Sequence, residues 1–132
     1  MCSSDLIVDH ADDVPAYAVE KALMIAEQAR ESFRRAMRAG VRHACGTDAG
    51  TPFNRHGNAP LEVVRMVEWG LTPLKALQAA TSNAAELVRV QEIGTVEEGK
   101  AADLVLWQGS PLDEIEAVLK PVLVLKGGAP VV

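Results

Sequence analysis

The chain has 132 residues, 48% hydrophobic and 23% charged, an ordinary globular composition that holds one modest core. It is too short for a closed eight-unit barrel, which takes ~250 residues. A formal net charge of -5 excludes the basic footprint of a nucleic-acid binder, and no apolar run approaches the ~20 residues that span a bilayer.

Cys2 and Cys45 make neither a CxxC pair nor a disulfide framework, so a reducing, cytoplasmic setting is expected. The N-terminus lacks the basic start and apolar stretch of a secretory signal. Met1 to Leu6 read instead as a GTG start followed by an adapter-like tail, so the native upstream sequence is expected to be missing.

Asp12, Asp13 and Pro15 open a helix, with acidic residues near the N-cap and a proline in the first turn. Val19, Ala22, Leu23, Ala26, Ala29, Phe33, Ala36 and Met37 recur at helical spacing. They predict an amphipathic helix of about 22 residues ended by Gly40. Arg30, Arg34, Arg35 and Arg38 alternate on it with Glu27 and Glu31, which describes a solvated face of paired charges rather than a basic patch. Residues 41–47 then read as a short buried strand feeding Gly46-Thr47-Asp48-Ala49-Gly50. Helix, glycine, strand and loop make one step of a parallel α/β sheet, whose chemistry sits at the C-terminal ends of its strands.

Beyond the loop at 51–57, Asn58 and Pro60 start a second helix that stops at Gly70. Thr72-Pro73 starts a third, and Thr81-Ser82-Asn83 caps a fourth. From Ile93 onward, glycines punctuate β-rich runs at 103–107 and 122–126. The change of texture near Val90 divides the chain into an α/β portion, 1–90, and a small sheet, 91–132.

His43, Cys45 and Asp48 at first suggest a metal cluster of mixed N, S and O ligands. Period-two alternation separates them, with His43 and Cys45 on one strand face and Ala44, Gly46 and Asp48 on the other. His43 and Cys45 therefore read as packing residues. Asp48 has two readings that local sequence does not separate: a turn residue whose carboxylate accepts backbone N–H groups, or a carboxylate presented for chemistry. His56, beside Arg55 in the following loop, is placed to contact an anionic substrate group or move a proton, but an exposed loop histidine without a role fits equally well. His10 among Asp9, Asp12 and Asp13 reads as a solvated helix start.

Four stretches in order then compose a pattern: 46–52 (GTDAGTP), 70–77 (GLTPLKAL), 80–87 (ATSNAAEL) and 94–105 (GTVEEGKAADLV). Together they resemble the C-terminal third of a metal-dependent amidohydrolase. The wording Asp-Ala-Gly-Thr-Pro and Phe-Asn-Arg-His-Gly is similar to the branch related to imidazolonepropionase and to dipeptidases that cleave Xaa-Pro bonds.

The resemblance implies an α/β fold. Residues 1–90 would be the C-terminal part of a (β/α)8 TIM barrel, with 41–48 as its eighth strand, and 91–132 the C-terminal strands of a small β-sandwich. It also implies a hydrolase that cleaves a C–N bond of a small amide, dipeptide or cyclic amide with one or two divalent metal ions, zinc by expectation. Asp48 would be a metal ligand and the general base and acid, while His56 and Arg55 would bind substrate. The parent would be a homo-oligomer without nucleic-acid or membrane partners. The His-x-His pair and later histidines of the pattern are not in this sequence, so the chain alone is expected to be inactive. The alternative is a non-catalytic small α/β binding or interaction module that unfolds cooperatively on its own.

Overall fold

The computed structural model describes residues 3–51 and 53–131. It opens with a helix that the sequence did not announce, α1 (Ser3–Asp9), and a 3-10 turn at Ala11–Asp13. The expected long helix follows as α2 (Ala16–Arg38), beginning directly after Pro15. Gly40, at φ 73°, turns the chain out of it: the Gly40 N–H donates to the Met37 carbonyl and the Val41 N–H to the Ala36 carbonyl, each at 3.0 Å. Two carbonyls orphaned by the helix end are thereby satisfied.

Helix α1 packs on α2, where Ala22 and Ala26 are buried, and Leu6 is buried with them. Asp5 and Leu6 thus lie inside this packing, and the buried Asp5 carboxylate pairs with Arg30 at 2.9 Å. The other charges of α2 behave as a solvated face, with Arg38 bonded to Glu31 and Arg30 near Glu27. The apolar face is only partly covered: Phe33 and Met37 lean on the core, whereas Leu23 remains 53% exposed.

Helices α3 (Ala59–Glu68), α4 (Pro73–Ala80) and α5 (Ser82–Leu87) form where their start signals stand. Thr72 Oγ accepts the Lys75 N–H at 3.4 Å, capping α4 beside Pro73. Helix α5 exits through Arg89 at φ 60°, a left-handed position that glycine occupies at the ends of α2 and α3.

Residues 41–47 do not form the expected strand, because a strand is defined by ladder bonds to a neighbour and no described segment pairs with this one. The segment is tied to the helical layer instead. The Cys45 N–H donates to the Ala79 carbonyl at 2.8 Å, and Asn83 Nδ2 donates to the His43 carbonyl at 2.9 Å. Arg42 grips Glu86 through two bonds of 2.7 and 2.6 Å, which hold the Glu86 carboxyl below the usual carboxylate range.

The sheet is antiparallel in the order β1 (Leu104–Trp107), β2 (Pro121–Lys126), β3 (Ala129–Pro130). Leu104 faces Leu125 and Val105 faces Val124, and the register shifts between Leu106 and Trp107. A 3-10 segment, Ile115–Leu119, joins β1 to β2 and packs on α3. Its Ile115 and Val118 share one apolar cluster with Val63, Val64, Leu71 and Ala76, so the core draws on both sides of residue 91.

Candidate functional site

Asp48 stands where the segment 41–47 meets its loop, at φ 49°, a left-handed conformation that aspartate tolerates better than most residues. Its side chain is exposed, and among the described residues nothing donates a hydrogen bond to its carboxylate. The turn is held from elsewhere. Asn54, 2% exposed, donates its side-chain amide to the carbonyls of both Thr47 and Asp48, the latter at 3.1 Å. Its backbone completes the ring: the Gly50 N–H donates to the Asn54 carbonyl at 2.9 Å, and the Asn54 N–H to the Thr51 carbonyl at 3.0 Å.

His56 comes to the same turn, since a Cβ built on Gly50 would lie 3.9 Å from His56 Nε2. Arg55 is exposed and has no ion-pair partner among the described residues. One loop therefore carries a free carboxylate, an imidazole and a guanidinium. The remaining expected residue of this stretch, Pro52, lies outside the described residues.

The other sequence candidates pack. His43 lies against Phe33, ring centroids 4.5 Å apart. Cys45 is a half-buried free thiol whose pKa is pushed up by burial, the opposite of what a nucleophile or metal thiolate needs. His10 stacks on Phe53, and its Nδ1 is 2.8 Å from the Leu6 carbonyl. A separate cleft lined by Met37, Val41, Arg42, Leu71 and Lys75 includes no residue of the Asp48 loop.

Among the described residues no three His, Cys, Asp or Glu side chains come together as a group that could hold a metal ion. The Asp48 loop offers one exposed carboxylate, and the described residues do not by themselves fit a metal centre, which takes at least three protein ligands in catalytic zinc sites. The residue that sequence reasoning missed is Asn54. Its visible signal was an amide seven residues after Thr47 in a polar loop, which without coordinates says nothing about where the amide points.

The sequence profile described as the Amidohydrolase family matches residues 3–131. Over 110 residues the chain is 36% identical to the ochratoxinase of Aspergillus niger, covering 79% of this chain and 22% of that protein. It is 38% identical over 81 residues to the imidazolonepropionase of Treponema denticola, covering 56% of this chain and 18% of that protein. It superposes on a solved Xaa-Pro dipeptidase with bound methionine in the active site at a TM-score of 0.83 and 34% identity. That superposition covers 96% of this chain and 32% of the dipeptidase, so the chain spans a third or less of each relative. With the family profile running through both the helical layer and the sheet, this chain belongs to the amidohydrolase family.

Proposed function

We propose that this chain is the C-terminal portion of a metal-dependent hydrolase that cleaves a C–N bond of a small amide, dipeptide or cyclic amide. The observation that carries the reading is the Asp48 carboxylate, exposed and without a donor among the described residues, on a turn that other groups hold in place. A turn-forming aspartate would spend its oxygens on backbone N–H groups. The likeness to an Xaa-Pro dipeptidase favours a dipeptide among the candidate substrates.

In this reading residues 1–90 complete a (β/α)8 barrel and 91–132 complete a small β-sandwich. The segment 41–48 is the barrel's last strand, and its ladder partners come from sequence outside this chain. Exposed apolar side chains support that view, with Met24 63%, Leu87 72% and Val96 84% exposed.

Bound divalent metal, zinc by this reading, would make water acidic enough to ionise near neutral pH. Its remaining ligands would come from outside the chain. The part assigned to these residues is proton transfer and binding. Asp48 takes the proton of the attacking water and returns it to the departing amine nitrogen, which leaves neutral while the acyl carbon keeps the water oxygen. Arg55 binds a substrate carboxylate, and His56 holds the substrate over the turn.

The chain alone is then inactive. Incubating the purified 132-residue chain with zinc and an Xaa-Pro dipeptide should release no amino acid. Metal-dependent hydrolysis by the chain would contradict the assignment.

A further inference from the structure

We infer that Asn54 is the positioning residue that aims the Asp48 carboxylate, an inference that rests on the reading of Asp48 given above. The carbonyls of Thr47 and Asp48 belong to the two peptide planes that flank the Asp48 Cα. Both accept from the same Asn54 Nδ2. Fixing two adjoining peptide planes fixes the bonds around the atom between them, and with them the direction of its Cα–Cβ bond.

The clamp works against a backbone preference. Asp48 at φ 49° sits in a region disfavoured for residues with a Cβ by about 1 kcal/mol or more. Released from Asn54, the turn relaxes toward negative φ and swings the carboxylate away. Thr51 Oγ donates one bond of 3.4 Å to the Asp48 carbonyl, which reaches one of the two peptide planes and so does not replace the pair of amide bonds.

The burial of Asn54 has no better explanation in packing. Its Oδ1 is buried without a donor among the described residues, a state that disfavours an amide at a position needing only volume. A leucine fills similar space without that penalty, so the amide is explained by the two bonds its nitrogen makes. Side chains that only accept, such as an ionised carboxylate, cannot make them. The Asn54 side-chain amide bonds backbone carbonyls and not the Asp48 carboxylate, so it acts on that carboxylate through the backbone.

The test compares Asn54→Leu with Asp48→Asn in the intact enzyme containing this chain, measuring kcat per folded molecule and KM for an Xaa-Pro dipeptide. Asn54→Leu should lower kcat per folded molecule at least about tenfold, the scale of a misplaced catalytic group, with KM within about twofold. A merely structural role would reduce the folded fraction and leave kcat per folded molecule unchanged, and that result overturns the inference. If Asp48→Asn retains its rate, the reading of Asp48 falls instead. Should Asn54→Leu fail to fold, hydrogen exchange decides: the wild-type Asn54 side-chain amide protons should exchange at least about tenfold more slowly than a free amide, and exchange at the free rate overturns the clamp.

Discussion

The His10 imidazole lies flat on the Phe53 ring, with centroids 4.4 Å apart and planes 15° from parallel. This contact brings the turn after α1 onto the loop that carries Arg55 and His56. It also accounts for His10, which sequence alone left among three aspartates. Phe53 makes the contact at φ 63°, a rare conformation for a bulky side chain. Replacing Phe53 therefore has two opposed effects. Phe53→Ala should destabilise the intact protein by about 1 kcal/mol through loss of the ring pair. Phe53→Gly loses the same pair but relieves the backbone, and should be more stable than the alanine variant by about 1 kcal/mol. Urea unfolding of the two variants makes the comparison, and an alanine variant equal to or above the glycine variant contradicts it.

Gly94 ties the loop after α5 to that helix. A Cβ there would stand 2.6 Å from the Ala85 Cβ and 3.1 Å from the Thr81 carbonyl, at φ 91°. Gly94→Ala should cost about 1–3 kcal/mol, since neither the overlap nor the backbone angle can be relieved by rotating a side chain. Adding Ala85→Gly removes the nearest atom and should recover only part of the loss. Full recovery in the double variant would show that the backbone angle is not a source of strain.

Asp103 sets the acid response of the sheet. Lys126 and the Gly127 N–H bond its carboxylate and hold its pKa below the usual carboxylate value. A carboxylate with a depressed folded pKa stabilises the protein above its unfolded pKa, and that stabilisation disappears as pH falls through the folded value. The gap in unfolding midpoint between wild type and Asp103→Asn should thus be level above about pH 5 and shrink on acidification. The group is exposed, so the gap is small. A gap that widens with acid contradicts the assignment.

The sequence made the helical layer readable because its start and stop signals are local. Pro15, Thr72-Pro73 and the glycines at 40 and 70 act within a turn of where they stand: α2 begins after Pro15 and ends before Gly40, α3 ends before Gly70, and α4 begins at Pro73. Strands β1 and β2 were readable for a similar reason, as apolar runs bounded by glycines. The strand expected at 41–47 failed because pairing is not local: its apolar character is in the sequence, but its partners are not among the described residues. Helix α1 gave little warning, being short and fixed by the tertiary pair Asp5–Arg30. At the candidate site, the turn at Asp48 was legible from its flanking glycines, while the role of its carboxylate is the proposal made above. Asn54 was not, since its importance lies in two hydrogen bonds reaching back along the loop.

Asp48→Asn in the intact enzyme separates a proton-carrying Asp48, the role proposed above, from an aspartate that only shapes the turn. The amide keeps the size of the side chain but cannot take up the proton of the attacking water. Steady-state hydrolysis of an Xaa-Pro dipeptide should show kcat reduced by at least about 100-fold in a variant that folds normally. A folded Asp48→Asn enzyme with near-wild-type kcat would contradict the account.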